Sequence, residues 1–414
     1  MIRHLFKLVW KRKRASALLT LEILISFLVL FGVVTLGATS IMRYRRPLGF
    51  DYANVWVANI SFPVQLDMGG AGPGETWEER TRLRRAPEAP LRQSLDRIMR
   101  ELRTMPEIEG VAGSGAPAYS SSEWTSGTDF NGRRIQMTRD SVTDDYGRVM
   151  RTPVLRGRWF VPEDDVESVP PMVIDSDLAE NMFGNEDPVG KKFTFGEGND
   201  FRIVGIIAPF RKRGEFSADR VRMGFDRASL TGWRGEIPRS LVIRVRPGTP
   251  PEFEEALTAR LHALAPDFTI RIRHMDAMRR TMNRLFLAPM IIGVVISTFL
   301  IGMVALGLSG VLWQNVTRRR REIGLRRALG ATGSAVHRQI LIEVALLATL
   351  AVIIGLIVVA QLPILGMFTL VTPLAYATGI AGALATIYAL TLLCGLYPSW
   401  LASRVQPAEA LHYE

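Results

Sequence analysis

The segment from Gly184 to Lys192 holds the arrangement of glycine and lysine that comes nearest to a phosphate-binding loop. Such a loop needs a glycine, four residues and then Gly-Lys followed by a hydroxyl residue, because backbone amides, an ammonium group and the hydroxyl share the phosphates and Mg²⁺. Here the spacing from Gly184 to Gly190 is one residue too long, and Lys192 stands where the hydroxyl is needed. We therefore predict no ATP site, and a chain that does not hydrolyse ATP by itself.

The other residues with catalytic or metal-binding potential are scattered. The histidines lack the H-x-x-x-H and HExxH spacings of zinc sites: they are His4, His262, His274, His337 and His412. Asp164 and Asp165 are predicted to be solvated turn residues, and nothing resembles the G-x-S-x-G turn of a hydrolase. The single cysteine, Cys394, excludes an intrachain disulfide and a cysteine-based metal site. We expect no catalytic residue, no cofactor and no metal bound by this chain.

Long apolar runs dominate the sequence instead. A helix needs about 20 apolar residues to cross a bilayer. Four runs meet this requirement and predict transmembrane helices at 15–41, 287–313, 340–361 and 373–397. The first run is longer than the apolar part of a cleaved signal peptide, which favours a membrane anchor. The net charge of +11 suits either nucleic acid or an anionic membrane surface, and the apolar runs favour membrane lipids over nucleic acid as the partner.

Basic residues set the predicted orientation. Six Lys and Arg and no acid lie in residues 1–14, and seven basic residues against one acid lie in residues 314–339. Because cytoplasmic loops are enriched in Lys and Arg, both segments are predicted to face the cytoplasm, together with the tail 398–414. Residues 42–286 then lie in the periplasm, outside a bacterial inner membrane. Apolar residues at helical spacing further predict that residues 1–14 form an amphipathic helix at the inner membrane surface.

Two acids and one ridge of small residues interrupt the apolar runs. Glu22 and Glu343 could serve gating or helix pairing, or could reach the nearby cytoplasmic interface, and their positions favour the second alternative. Ala375, Gly379 and Ala383 follow one another at four-residue spacing on the fourth predicted helix. This ridge predicts close helix packing, either within the chain or across a dimer.

The outer region is predicted to be an α+β domain. Alternation typical of strands and spacing typical of helices mark its two ends, at 54–60, 91–105, 241–245, 253–264 and 268–272. Strand–helix–strand units of this length predict a βαβ base. The strand- and turn-rich residues 115–235 are predicted to form a subdomain inserted into that base, further from the membrane.

Five segments, in order along nearly the whole chain, share one resemblance. They are the cytoplasmic stretch 319–332, the start of the third span at 338–343, the outer elements 155–160 and 177–191, and the C-terminal 397–411. Each resembles one element of the MacB/FtsX-type ABC transporter permeases. Residues 319–332 resemble the family's cytoplasmic signature, and 338–343 its entry to the third span. Residues 155–160 resemble its "GRxF" element, 177–191 its "lAxxxFGxxdPvGk" element, and 397–411 its C-terminal end. The resemblance implies an α-helical membrane protein with four transmembrane helices plus an α+β periplasmic domain.

In that family the cytoplasmic loop meets an ATPase. The resemblance implies that the coupling residues here are Glu322, Ile323, Gly324, Leu325, Arg326, Arg327, Ala328, Leu329, Gly330, Ala331 and Thr332. Their apolar members favour docking into a protein groove, whereas binding to anionic lipid heads is the alternative for the arginines at 318–321. The family's macrolide exporter carries an ATPase domain before its first span, and only 14 residues precede the first span here. We therefore expect a separate ABC ATPase subunit that uses ATP and Mg²⁺.

Three functions compete under this resemblance. The first is an efflux permease that works by mechanotransmission, as a dimer with an identical or paralogous chain, and with a periplasmic adaptor and an outer-membrane channel. The second is a lipoprotein-releasing permease. The third is a signal transmitter that controls a cell-wall hydrolase without transporting anything. The two outer elements favour the first function, and the third usually goes with a smaller outer domain.

Overall fold

The computed structural model describes residues 13–63, 77–122, 124–130, 132–195, 199–217, 222–230, 236–318, 325, 332–366 and 371–403. The chain divides into two units, one of residues 1–42 and 286–414 and the other of residues 43–285. Most of the predicted amphipathic helix at 1–14 lies outside the described residues.

The elements of both units are numbered in chain order. The helices are α1 (Lys13–Tyr44), α2 (Trp77–Leu102), α3 (Tyr146–Val149), α4 (Ser176–Phe183), α5 (Phe253–Leu264), α6 (Met275–Arg318), α7 (Gly333–Ile364) and α8 (Pro373–Ser403). The strands are β1 (Val55–Ser61), β2 (Ile108–Ser114), β3 (Trp124–Phe130), β4 (Arg133–Val142), β5 (Val154–Gly157), β6 (Pro171–Asp175), β7 (Lys192–Phe195), β8 (Asn199–Ile207), β9 (Met223–Arg227), β10 (Ser240–Val245) and β11 (Thr269–His274).

Four helices are long and apolar enough to cross a membrane, namely α1, α6, α7 and α8. Each contains one of the predicted spans, so the four-helix membrane part of the fold is confirmed. The helix α6 differs from its prediction, because it begins at Met275 and not near Leu287. Its first three turns are amphipathic rather than apolar: Met278 and Met282 are buried, whereas Arg280 and Arg284 are exposed. A search for apolar runs finds only the lipid-facing part of such a helix.

The base of the outer unit is a four-stranded antiparallel sheet in the order β11, β1, β10, β2. The helix α2 connects β1 to β2, and α5 connects β10 to β11. Each helix thus joins two parallel strands, and one strand of the other strand–helix–strand pair lies between those two strands. This is the split βαβ arrangement of ferredoxin-like folds. The predicted βαβ base is confirmed, with the addition that its two units interleave.

Both faces of the inner strands β1 and β10 are buried almost throughout, whereas the edge strand β11 exposes alternate residues. The helices α2 and α5 cover one face, where Trp56 packs with Leu95, Leu102 and Leu261 in one cluster. The opposite face carries the alternate residues of the same strands, such as Val57, in a second cluster. The strands therefore contribute to two cores at once, and Phe50, between α1 and β1, belongs to the second core.

The inserted strands extend the base sheet and do not form a separate one. The strand β4 meets β2 at the pair Val142 and Ser114, and the sheet continues in the order β4, β9, β6, β8, β5. The strand β3 pairs with β4, and β7 pairs with β8. A core of its own stabilises this region, with Met137, Ile174 and Phe193 among its members. The predicted strand-rich insert is thus present, and its distance from the membrane stays a prediction.

The prediction that Asp164 and Asp165 are solvated turn residues is wrong. The Asp164 carboxylate is buried, and both guanidinium ends of Arg158 donate to it at 2.6 and 2.9 Å. Burial by itself raises the pKa of Asp164, but hydrogen bonds, chiefly from Arg158, and the charges of the nearby arginines together outweigh burial, and the pKa of Asp164 is lowered. Asp165 accepts hydrogen bonds from the Arg227 guanidinium and from the Ser229 hydroxyl. The prediction failed because the partner of Asp165, Arg227, is more than sixty residues away in the sequence, and the residues around the Asp-Asp pair do not indicate it.

A substitution at Gly157, at the end of β5, tests the close approach of the chain to β8. Gly157 has φ +68°, and a Cβ there would collide with the backbone oxygen of Val204. Gly248 has φ +86° and open space around it, so it supplies a matched control for the left-handed backbone alone. We expect G157A to lower the free energy of unfolding by about 2 kcal/mol more than G248A does. Thermal unfolding of the purified chain in detergent measures both, and equal losses would contradict the described contact.

Candidate functional site

The residues predicted to contact an ATPase lie between α6 and α7. Those outside the described residues are Glu322, Ile323, Gly324, Arg326, Arg327, Ala328, Leu329, Gly330 and Ala331. Leu325 is described as helical with an exposed side chain. Thr332 caps α7, because its hydroxyl accepts a hydrogen bond from the Ala335 amide at 3.4 Å. The coupling role of these residues stays a prediction.

The structure places the ridge of small residues on α8 against α1. Ala375 and Ala383 are fully buried. A Cβ at Gly379 would collide with the Thr35 hydroxyl and lie 3.3 Å from the Phe31 ring. These contacts lie within the chain, and packing of the ridge across a dimer stays a prediction.

The two intramembrane acids have different surroundings. Glu22 is half-buried, and its carboxylate faces α6, where a Cβ on Gly307 would lie 2.9 Å from one oxygen. Glu343 accepts a hydrogen bond from the Gln339 amide one turn earlier on α7, at 3.3 Å. Glu22 thus contacts a neighbouring helix, which favours the helix-pairing alternative for that residue over a purely interfacial position.

In the outer unit, one loop contacts the end of α1. We call residues 208–217 the junction loop. The guanidinium of Arg211 donates to the carbonyl oxygen of Arg43 at 2.6 Å and to that of Arg46 at 3.4 Å. The Arg211 backbone amide donates to the Leu48 carbonyl at 2.9 Å. Because the last carbonyls of a helix have no partner within the helix, a buried arginine is well suited to satisfy them.

The same loop contacts the beginning of α6. The Nε of Arg279 donates to the carboxylate of Glu215 at 2.5 Å. Arg211 also donates to the Glu215 carbonyl at 2.5 Å, so the two arginines are joined through one residue. The Arg279 guanidinium lies 4.8 Å from the centre of the Tyr52 ring, in a cation–π contact. The segments that follow α1 and open α6 are therefore fixed to one another in the outer unit.

Apolar packing reinforces this connection. Three methionines on one face of α6, Met275, Met278 and Met282, are buried in the core that also contains Phe50 and Phe210. The rings of Phe50 and Phe210 lie 4.7 Å apart. The first turns of α6 thus share a core with the junction loop and with the chain that follows α1.

A buried arginine of the base sheet holds the segment between α1 and β1. Arg244, on β10, is almost fully buried, and its Nε donates to the Val149 carbonyl at 2.6 Å. Its other nitrogens donate to the carbonyls of Asp51 and Ala53 and to the Asp51 carboxylate, at 2.7 to 3.2 Å. Burial lowers the pKa of Arg244, and the charge of Asp51 opposes that effect. The charge is thus balanced by one carboxylate and several carbonyl dipoles.

A second buried charge belongs to the junction loop itself. Lys212 is almost fully buried, and its carbonyl accepts a hydrogen bond from the Tyr119 amide at 2.8 Å. Burial raises the pKa of Asp140 to about 6, and this rise is opposed by the charge of Lys212 and by hydrogen bonds from Ser114 and Ala116. The loop is therefore connected electrostatically to the place where the insert leaves the base.

Among the residues that the structure describes, no group of His, Cys, Asp or Glu could hold a metal ion. The arrangement instead offers rigid connection between two helix ends. Sequence reasoning missed Arg211, Glu215 and Arg279, since their partners are distant along the chain. Arg244 did carry a signal, as a charge within an otherwise apolar strand.

Comparison with known families matches both units. Residues 16–260 match the MacB-like periplasmic core domain, and residues 287–407 match the FtsX-like permease C-terminal domain. The chain belongs to the MacB/FtsX-type permease family. The five resembling segments of the sequence are thereby explained, and the outer unit of this permease is an extracytoplasmic domain.

Individual relatives give the same result. The permease is 25% identical over 325 residues to the macrolide export ATP-binding/permease protein MacB of Bordetella avium, a match that covers 74% of this chain and 48% of the relative. It is 24% identical over 428 residues to the pyoverdine export ATP-binding/permease protein PvdT of Pseudomonas syringae pv. syringae, covering 100% of this chain and 59% of that protein. The chain thus spans about half the length of the curated relatives it matches.

Among solved structures, the chain is similar to the periplasmic region of MacB from Actinobacillus actinomycetemcomitans. The identity is 17% and the TM-score 0.36, and the match covers 57% of this chain and 94% of that one.

The ridge on α8 generates a packing prediction for this permease. We expect G379A to lower the melting temperature in detergent, because the added methyl group must displace Thr35 or Phe31, at about 1–3 kcal/mol for overpacking. Gly302, on α6, has open space around its Cβ position and is exposed, so G302A should leave the melting temperature nearly unchanged. Equal melting temperatures for the two variants would show that α8 does not pack on α1 through this ridge.

The junction loop generates a second prediction for the permease. We expect R211M to lower the free energy of unfolding by about 2 kcal/mol or more, because several buried carbonyls lose their donor. Arg239, directly before β10, has an exposed side chain, and R239M should stay within about 0.5 kcal/mol of the wild type. Unfolding followed by circular dichroism measures both, and a harmless R211M would remove Arg211 from the junction.

Proposed function

We propose that this chain is the permease of an ABC-type export system, in which a separate ATPase subunit drives conformational change in the extracytoplasmic domain. On this proposal the chain is not itself catalytic, and it forms a dimer with an identical or paralogous chain in the bacterial inner membrane. Of the two family models that it matches, one is a periplasmic core domain and the other a permease C-terminal domain, which supports the permease role.

One observation carries the proposal. The segments that follow α1 and that open α6 are held by the same junction loop, through Arg211 and through Glu215 with Arg279. That loop shares a core with the base sheet of the outer domain. A change in the spacing of these two segments within the outer unit therefore has to be accommodated in the base sheet, because packed cores have low compressibility. Such a connection suits mechanotransmission, in which ATP-driven movement in the membrane does work outside it.

The coupling element of the proposal is the segment Glu322 to Thr332. It lies between the end of α6 and the start of α7, and the sequence predicts a cytoplasmic position for it. Its arginines can pair with acidic side chains of an ATPase, while its leucines and isoleucine can enter an apolar groove. The ATP and Mg²⁺ would be bound by that partner and not by this chain.

The cargo is proposed only as a class. The relatives named above are a macrolide exporter and a pyoverdine exporter, which supports export of a small molecule, with an adaptor and an outer-membrane channel as further partners. Lipoprotein release and control of a cell-wall hydrolase are the alternatives that this proposal must exclude. The identity of neighbouring genes, encoding an adaptor, a lipoprotein chaperone or a hydrolase, distinguishes the three.

Charge reversal in the loop tests the coupling role. We expect R326E/R327E to abolish co-purification with the co-expressed ATPase, because like charges at a protein interface cost several kcal/mol. The matched control is R319E/R320E, which changes the same charge in the part of the loop where lipid heads are the alternative partner. This control should retain the ATPase.

A topology reporter separates failed docking from failed insertion. With Cys394 replaced, single cysteines at Phe130 and Gly330 are labelled from outside spheroplasts, and only the first should react. If correctly inserted R326E/R327E still brings down the ATPase and still stimulates its hydrolysis, the segment is not the coupling element. Labelling of position 330 from outside would overturn the proposed orientation.

A further inference from the structure

Arginines surround the places where the outer domain meets the membrane helices. The residues concerned are Arg43, Arg45, Arg46, Arg279, Arg280 and Arg284. Across residues 43–50 and 276–286 the only acid is Asp276. Flanks on the outer side of a membrane are normally poor in Lys and Arg, because basic flanks favour retention in the cytoplasm. An outer flank this basic needs an explanation.

The fold neutralises only part of this charge. Arg279 is paired with the buried carboxylate of Glu215, and Arg280 pairs with Asp276 on the surface. Arg45 and Arg284 are exposed, and neither forms an ion pair with any residue in the described part of the chain. Two guanidinium groups, one beside each helix, are therefore available to an external anion.

The junction loop brings these two flanks to the same part of the domain. Arg211 donates to the Arg46 carbonyl, and the Glu215 carboxylate accepts from Arg279. Arg211 and Glu215 are in turn joined by a hydrogen bond from the Arg211 guanidinium to the Glu215 carbonyl at 2.5 Å. Arg45 is adjacent to Arg46 in the chain. Arg284 follows Arg279 by five residues on α6, roughly 7.5 Å along the helix axis. The exposed guanidinium groups of both flanks thus lie at the end of the domain from which the helices leave.

The neighbouring side chains are those of a membrane interface. Leu285 and Phe286 follow Arg284 directly and are exposed, at 65% and 36% of their surface. Tyr44, beside Arg45, is 54% exposed and stacks on Phe216 at 5.8 Å. Exposed aromatic and apolar residues next to arginines are typical of the level of lipid headgroups.

We call the exposed arginines beside the two helices, Arg45 and Arg284, the rim. We propose that the rim binds the headgroups of anionic phospholipids in the outer leaflet of the membrane. The phosphodiester oxygens match the planar fork of a guanidinium, which can donate two parallel hydrogen bonds to a phosphate. A lipid is favoured over a soluble anion because the guanidinium groups are adjacent to residues that enter the apolar phase. Bound headgroups would neutralise the rim and hold the ends of α1 and α6 at a fixed depth.

The proposal depends on the extracytoplasmic position of the domain and not on the ATPase or the cargo. The full chain in an uncharged detergent is titrated with phosphatidylglycerol, with phosphatidylcholine as the neutral lipid, and the melting temperature is followed. Retained lipid is counted in parallel by native mass spectrometry. The variant is R45Q/R284Q. The matched control is R133Q/R134Q, which removes two exposed arginines at the start of β4.

We expect phosphatidylglycerol to raise the melting temperature of the wild type and of R133Q/R134Q, and phosphatidylcholine to have no such effect. In R45Q/R284Q the apparent affinity for phosphatidylglycerol should fall roughly tenfold or more, since each arginine near a charged lipid surface contributes about fivefold. Cytoplasmic arginines contribute equally in all three proteins, so the difference between variants is the readout.

Three results would overturn the proposal. The first is an unchanged response in R45Q/R284Q, and the second is an equal loss in both double variants, which would indicate a general effect of charge. The third is an equal rise of the melting temperature with inorganic phosphate at the same concentration, which would indicate a site for soluble phosphate. None of these results depends on whether Glu322 to Thr332 docks an ATPase, so a failure here is distinguishable from a failure of the proposed coupling.

Discussion

The hydrogen bonds of Arg211 constrain the whole outer domain. A domain that begins and ends in a membrane helix must fix two helix ends whose last or first backbone groups have no partner within the helix. Arg211 donates to carbonyls on the α1 side and to its own loop, and Glu215 of that loop accepts from Arg279 on α6. Transfer of a charge from water to the protein interior is unfavourable. This arrangement is therefore stable only while each guanidinium donor has an acceptor.

The two faces of the base sheet differ in what they contribute: one face mainly supplies stability, and the other holds the helix ends in place. The helix-covered face is mostly apolar, with the buried Arg92 of α2 as a charged exception, and burial of its apolar surface is its source of stability. The opposite face contains the buried charges Arg211, Lys212, Glu215 and Arg244 around a core of aromatic and methionine side chains. Buried ionic groups add little net stability, but they accept few alternative arrangements, because any unpaired charge is strongly unfavourable. The face that holds the helix ends is thus the one with the most restricted geometry.

The sequence predicted those parts of the fold that depend on local periodicity. The four apolar helices and the base strands were found because burial imposes a repeat on neighbouring residues. The interleaving of the two βαβ units was not found, since the order of strands depends on contacts between distant segments. The burial of Asp164 was missed for a similar reason: its environment comes from tertiary packing rather than from the turn in which it lies. The first turns of α6 were missed because they are amphipathic, and a search for membrane spans recognises only uniform apolarity.

The candidate site was predicted only where the residues themselves are unusual. Three small residues at four-residue spacing indicated close packing on α8, and the structure adds that Thr35 and Phe31 of α1 are the neighbours. The helix α1 therefore takes part in two sets of contacts, with α8 through the ridge and with the junction loop through the carbonyl of Arg43. A continuous helix is stiff along its axis, because each backbone hydrogen bond spans one turn. Under the proposed function, α1 is then the element on which packing in the membrane and hydrogen bonding outside it act together.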